Sequence, residues 1–306
     1  MRDERAMANV KPETGVAMIL ETGVRRILAP NPSPMTYWGT NTYLVGEKQV
    51  AVIDPGPFDE THFKAICDAT EGGASVSHVV VTHAHVDHSA GAPELARRLD
   101  VPCVAFGPAS RGVSPLMLRL IKEGLESSGE GVDRQFSPDI TLEDGEVLSG
   151  DTWSLEAIWT PGHLSNHICL AMGDAVFTGD HVMDWATSIV SPPDGDVGAF
   201  LASCEKLLKR SDRAFYPGHG APVLDPTERT QWLIDHRKER ESQILELLSK
   251  GPQAPQSIVE TIYADVPKSL FGAAKRNVFA HLIDLYERDV VSATPMLTDN
   301  ATYALK

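Results

Sequence analysis

Residues 79 to 88 read Val-Val-Val-Thr-His-Ala-His-Val-Asp-His, and this stretch constrains the fold more than any other. Three consecutive valines fit a short, fully buried strand, and the polar residues after them are too dense in coordinating side chains to continue it. His83 to His88 are therefore expected on a loop at a strand end. Three imidazoles and a carboxylate within six residues repel one another once protonated and gain little from burial, so something must hold them together. A metal ion does this, because neutral imidazole and carboxylate are ordinary ligands of zinc. With only Ala84 between them, His83 and His85 can turn toward one ion, while Asp87 and His88 point on to a second position. One loop thus starts two metal positions.

The same order of short apolar run, Gly or Pro, then a coordinating residue recurs downstream. His163 closes Thr160-Pro161-Gly162-His163 after the strand-like Leu155 to Trp159, Asp180 ends Ala175 to Gly179, and His219 follows Ala214 to Gly218. Each run reads as a strand that stops at Gly or Pro. The set His-x-His-x-Asp-His, then His, Asp and His, resembles the signature of the metallo-β-lactamase superfamily. The resemblance implies an α/β fold, an αβ/βα sandwich, with His83, His85 and His163 at a first metal, Asp87, His88 and His219 at a second, and Asp180 bridging them. It also implies that Asp54 braces the metal loop and that His167 stands behind the ligands, although Asp54 before Pro55 is equally what a turn requires. His181, next to Asp180, is expected to orient that carboxylate or line the pocket.

Two Zn2+ ions are the cofactor so implied, and iron or manganese would accept the same ligands. Two metals lower the pKa of a shared water and polarise the bond under attack, which makes hydrolysis the expected reaction and Asp87, beside that water, the catalytic carboxylate. Zinc β-lactamases of the best-known class carry Cys where this chain has Asp180, and diiron flavoproteins carry Glu where it has His85, so lactam resistance and oxygen reduction are disfavoured. Sulfur dioxygenases share much of the motif with a single iron, which leaves the metal's identity open.

Composition agrees with a globular enzyme: 42% of the 306 residues are apolar and 23% charged. A net charge of −15 disfavours non-specific binding to nucleic acid or an anionic membrane. Cys67, Cys103, Cys169 and Cys204 form no Cys-x-x-Cys pair and read as free thiols. The charged start of the chain is unlike a secretory signal and no run is long enough to span a bilayer, so a cytoplasmic protein is expected.

In chain order, residues 1–15 read as a flexible leader and 16–226 as the metal domain. Within the latter, Val16 to Leu28 suggests a hairpin, and Thr42 to Val45 with Val50 to Ile53 an antiparallel pair. Residues 59–70 and Ala92 to Leu99 read as helices and Val101 to Ala105 as a buried strand. The stretch Gly107 to Pro138, with a helix-like segment from Pro115 to Glu126, fits either a lid over the site or an amphipathic helix packed on the domain. Asp196 is a candidate N-cap for a helix over Val197 to Arg210.

A linking helix is expected over 227–250, its charged middle, His236 to Glu241, on a solvated face. Residues 251–306 suggest a short helix around Gln256 to Tyr263, a longer one from Ser269 to Asp289, and a terminal hairpin, the order of a winged helix. This tail, with His236-Arg237 and Ala274 to Leu282, resembles the lactamase-B-like protein 2 subgroup, in which a single-strand-specific endoribonuclease is known. The tail's six acidic side chains outnumber its five basic ones, which is poor electrostatics for a phosphate backbone. The expected function is therefore a dinuclear zinc hydrolase acting on an ester, thioester or lactone-like small molecule. A zinc-dependent endoribonuclease on single-stranded RNA is the alternative, and the tail is expected to pack or to pair two copies into a homo-oligomer.

Overall fold

The computed structural model describes residues 10–126, 131–265, 267 and 271–306. β1 (Met18–Glu21) and β2 (Val24–Leu28) form an antiparallel hairpin, which β3 (Asn41–Val45) and β4 (Gln49–Ile53) extend. Pairing then turns parallel. Helix α1 (Glu60–Asp68) crosses to β5 (Ser75–Val81), α2 (Val86–Ser89) and α3 (Ala92–Leu99) lead to β6 (Cys103–Ala105), and after α4 (Pro115–Lys122) β7 (Ile140–Thr141) closes a seven-stranded sheet in sequential order. A second sheet of five strands has the order β12-β11-β10-β9-β8. It is built from β8 (Val147–Ser149), β9 (Ser154–Trp159), β10 (Ile168–Met172), β11 (Ala175–Gly179) and β12 (Ala214–Pro217). Between the parallel β11 and β12 runs α5 (Val197–Leu208).

Successive strand residues point to opposite faces, and β5 shows why its valines are consecutive. Val80 packs into the core between the sheets with Ile53, Phe177 and Tyr216, whereas Val79 and Val81 pack outward against Phe63 of α1 and Leu95 of α3. A strand buried on both faces needs no polar alternation. On the second sheet Phe177 points inward, while Val176 and Phe215 pack against Phe200 of α5 and Leu233 of α6 (Pro226–Ser249). Helices therefore cover both outer faces of two stacked sheets. Asp59, Asp196 and Asp225 cap α1, α5 and α6 by accepting from the backbone N–H of His62, Ala199 and Glu228.

The chain ends in α7 (Pro255–Ile262), α8 (Phe271–Glu287) and the hairpin of β13 (Val291–Thr294) with β14 (Thr302–Leu305). Ile258, Val278, Leu282 and Tyr303 share a core with Ile244 and Leu248 of α6. The insertion joins that core: Leu116, Met117 and Leu120 of α4 bury into it, leaving Leu118 and Ile121 exposed. Its helix is thus packing against the C-terminal module.

Other differences from the sequence reading are local. Residues 83–88 are not all loop, because α2 starts at Val86. Arg237 is not solvated but buried. Residues 1–9 and Ser269 lie outside the described residues, while Thr14 bridges to Leu28 and the Gly15 N–H donates to the Leu28 carbonyl at 3.0 Å, tying the end of the leader to the sheet. All four cysteines are free. No helix among the described residues is long and apolar enough to cross a membrane.

Candidate metal centre

Every residue of the sequence-derived set stands beyond the C-terminal end of a strand, on the same rim of the sandwich. His83 and His85 follow β5, with Asp87 and His88 on α2. His163 follows β9, Asp180 follows β11 and His219 follows β12. The first sheet thus supplies one contiguous segment, a loop running into α2, and the second three separate strand ends. Three groups form: His83, His85 and His163; His83, His88 and Asp180; Asp87, His88 and His219.

Their ring nitrogens face one another. His83 Nε2 and His163 Nε2 stand 3.0 and 2.9 Å from His85 Nδ1, and His88 Nε2 stands 3.2 Å from His219 Nε2. With zinc–nitrogen bonds of about 2.0–2.1 Å, tetrahedral ligands lie roughly 3.3 Å apart, so the rings are gathered close to the spacing that a shared ion would require. Asp180 spans the two halves: Oδ1 lies 3.4 Å from His88 Nε2, and Oδ2 lies 3.4 Å from His219 Nε2 and 3.7 Å from His163 Nε2. Asp180 Oδ1 is buried without a hydrogen-bond partner among the described residues, a costly state for a carboxylate oxygen unless a cation meets it. Asp87, its side chain 25% exposed against 11% for Asp180, is the more accessible carboxylate, with Oδ2 at 3.2 Å from His219 Nε2. The residues present fit metal ions.

The outward nitrogens are also held, and each partner fixes a ring's tautomer and aim. His83 Nδ1 meets Thr82 Oγ1 at 3.0 Å, His88 Nδ1 meets Asp54 Oδ2 at 2.9 Å, His163 Nδ1 meets the Ile189 carbonyl at 2.6 Å, and His219 Nδ1 meets the Gly39 carbonyl at 3.1 Å. Asp54, in the left-handed region at φ 49°, also accepts from the Thr82 N–H and hydroxyl at 2.8 and 2.7 Å. It is therefore more than a turn residue. Thr40 Oγ1 donates to the Asp87 carbonyl at 2.9 Å, and Asn166 Oδ1 accepts from the Ala84 N–H at 3.3 Å. Sequence reasoning missed Gly39, Thr40, Asn166 and Ile189, because a carbonyl, hydroxyl or amide from another loop leaves no local pattern, and it missed Thr82, which reads simply as the residue between β5 and His83. Gly218 did leave one, the glycine before His219: a Cβ there would sit 2.5 Å from Asp180 Oδ1 and 2.6 Å from His88 Cε1.

Burial pushes His83 well below its ordinary pKa and His85 to about 3, so both rings are neutral and offer a lone pair. Burial alone would raise Asp87 and Asp180, yet the imidazoles of His88 and His219 hold both below the usual carboxylate range. Conversely, burial works to lower His88 and His219, but Asp180 raises His88 well above its ordinary value and His219 to about 9. An ion taken up there must displace protons.

Two further histidines are expected nearby from the sequence. His167 does lie behind the cluster, its ring 5.1 Å from His83 and its Nδ1 at 2.9 Å from Thr160 Oγ1. His181 neither orients Asp180 nor lines the pocket: its Nε2 faces Cys204 Sγ at 3.5 Å and its ring meets Phe200. Neighbouring residues of a chain leaving a strand turn to opposite sides, which carries His181 under α5.

Aromatic side chains border the centre. Tyr37 stacks on Trp38 at 4.8 Å and on Trp185 at 4.7 Å between ring centroids, close to the Gly39 carbonyl on His219. A cleft of about 390 Å³ lined by Val113, Pro115, Met117, Trp159 and Pro161 also reaches Gly162, the neighbour of His163.

Comparison with known families bears on this arrangement directly. The profile described as "Metallo-beta-lactamase superfamily" matches residues 35–219, more than half of the chain. The chain belongs to the metallo-beta-lactamase superfamily. Residues 254–296 match the "Beta-lactamase associated winged helix domain", so the superfamily domain here is followed by a winged helix. A "Beta-lactamase-like protein 2 homolog" of Drosophila melanogaster is 29% identical over 87% of this chain and 88% of its own length. An "Atrochrysone carboxyl ACP thioesterase" of Aspergillus fumigatus is 27% identical over 94% and 85%. Among solved structures, a beta-lactamase domain protein from Burkholderia ambifaria superposes with a TM-score of 0.80 at 20% identity, covering 99% of this chain and 98% of its own. A metallo-beta-lactamase family protein from Thermus thermophilus reaches 0.72 at 22% identity, covering 94% and 100%. As a member of this superfamily the protein is a hydrolase with a His/Asp cluster able to bind metal ions.

Proposed function

We propose that this hydrolase works through a dinuclear zinc centre, with His83, His85 and His163 at one position, Asp87, His88 and His219 at the other, and Asp180 between them, and that it cleaves thioesters or related esters and lactones of small molecules. The observation that carries the reading is Asp180, whose Oδ2 faces His163 of the first group and His219 of the second while its Oδ1 faces His88, also of the second. When bound, zinc lowers the pKa of a water to near neutrality and polarises a carbonyl oxygen. Asp87, ionised and the more exposed of the two carboxylates, would orient the attacking water and take its proton, while the Thr40 hydroxyl holds the Asp87 backbone carbonyl in place. The backing contacts from Asp54, Ile189 and Gly39 keep the imidazoles aimed, so little reorganisation accompanies the reaction.

For the substrate, the name of the Aspergillus fumigatus relative favours a thioester. The cleft beside Gly162, largely apolar but lined also by Ser114, Asp194 and Asp196, and the stacked rings of Tyr37 and Trp185 offer burial to an acyl group. The ribonuclease alternative draws less support, since Lys275, Arg288 and Lys306 of the winged helix are already paired with Asp299, Asp284 and Asp289. The test is elemental analysis of the purified protein together with initial rates on acyl thioesters, lactones and single-stranded RNA. Two equivalents of zinc with thioester or lactone turnover are expected. RNA cleavage in their place would replace the substrate assignment, and one equivalent of iron would overturn the mechanism.

A further inference from the structure

Arg237 lies in the charge-rich stretch of α6, yet it is 2% exposed, and among the described residues it makes no ion pair. Its guanidinium lies 5.3 Å from the centre of the Phe200 ring and donates through one Nη to the Ser188 carbonyl. A buried cation without a counter-ion is a poor way to stabilise a fold, since a well-packed apolar side chain of similar size does as well or better. What Arg237 does reach is the peptide next to a metal-centre contact. The Ser188 carbonyl directly precedes the Ile189 carbonyl, which accepts from His163 Nδ1 at 2.6 Å.

The same helix holds the rest of that segment. Arg229, eight residues before Arg237 and so on a similar face of α6, donates from Nε to the Met183 carbonyl and from an Nη to the Ala186 carbonyl, both at 2.7 Å. Residues 183–190 form neither helix nor strand. Three of their carbonyls find donors on arginines of one rigid helix, which therefore stands in for the ladder the segment lacks.

We propose that Arg237 is a positioning residue for the first metal position: by holding the Ser188 carbonyl it sets the Ile189 carbonyl, and thereby the aim of His163. This rests on the dinuclear reading above. Metal–ligand distances tolerate shifts of only about 0.2 Å, so a segment free to slide would weaken the ion that His163 shares with His83 and His85. Arg229 anchors the other end, where Trp185 stacks on Tyr37, so one helix face braces both a metal-directed imidazole and the aromatic border.

The test uses the full-length, zinc-loaded protein and its Arg237→Gln and Arg237→Lys variants. Three quantities are measured: zinc affinity by competition with a chromophoric chelator, the absorption spectrum after cobalt substitution, and the melting temperature in excess chelator. Arg237→Gln is expected to weaken one of the two zinc equivalents about 10- to 100-fold and to alter the cobalt spectrum. Lysine, whose longer stem carries its ammonium closer to the Ser188 carbonyl than the glutamine amide can reach, should recover most of both. Arg237→Met keeps the packing against Phe200 without the donor and replaces the glutamine variant should that fail to fold. Variants that melt earlier but match the wild type in zinc affinity and cobalt spectrum would reduce Arg237 to a core residue and overturn the proposal alone. A wild-type protein that takes up no metal would overturn it together with the dinuclear reading.

Discussion

The metal centre and the winged helix both bury histidines, and they do so differently. In the metal centre, His83, His88, His163 and His219 each have an acceptor or carboxylate behind one ring nitrogen and another ligand-type atom facing the other. On α8, His281 is as fully buried as His83, but neither of its nitrogens has a partner among the described residues. Burial and the cations beginning with Arg237 push it down to about 3, so it is simply a neutral ring in a core. Burial by itself therefore marks nothing. What distinguishes a site is convergence, with several lone pairs aimed at one point and each ring held from behind.

The sharpest way to break this contrast is to remove a converging group. Asp87→Ala should lower kcat on thioester substrates on the order of 10²–10⁴-fold, with the circular dichroism of the folded protein unchanged. Full activity in that variant would remove Asp87 from the mechanism. A smaller effect should follow from taking away a backing group: Asp54→Ala should cost about 10- to 100-fold in zinc affinity, read by chelator competition. If only the melting temperature fell, Asp54 would return to being a turn residue.

The smallest effect belongs to the other region. His281→Leu should leave zinc stoichiometry and turnover unchanged, since no metal-centre residue touches it, and should alter only the acid limb of stability. His281, at about 3, and His62, lowered to about 4 chiefly by burial, both titrate below the unfolded value near 6.5. The unfolded chain therefore binds more protons below that pH. Stability from these neutral rings is present above 6.5 and is lost as the pH falls toward their folded values. Leucine should flatten part of that loss in denaturant titrations between about pH 6.5 and 4, and an unchanged slope would show that His281 protonates freely in the fold.

Much of this architecture was readable because its physical cause is local. Valines at β5 and the Gly- or Pro-terminated runs before His163, Asp180 and His219 announce strands by composition, and the dense His83 to His88 stretch has few other uses. The winged helix was visible in the order of a short helix, a longer helix and a terminal hairpin over residues 251–306. What escaped depends on distant parts of the chain. β7 and β8 are two and three residues long, too short for alternation to show. α4 reads as amphipathic, but only the tertiary structure says that its apolar face meets Ile244 and Val278. Arg237 sits among charges that do face solvent, and although it falls three residues after Ile234 and seven before Ile244 on the buried face of α6, its role becomes visible only where Ser188 meets it.

That the two sheets contribute unequally to the centre also bears on biosynthesis. The ribosome delivers the first sheet with His83, His85, Asp87 and His88 long before His219, and α6, whose arginines hold the 183–190 segment, emerges later still. A nascent chain thus passes through a stage with one half of the cluster exposed and the other unmade. Metal acquired early would meet an incomplete and labile set of donors, so durable loading has to wait until the last strand end and the helix behind it have closed the pocket.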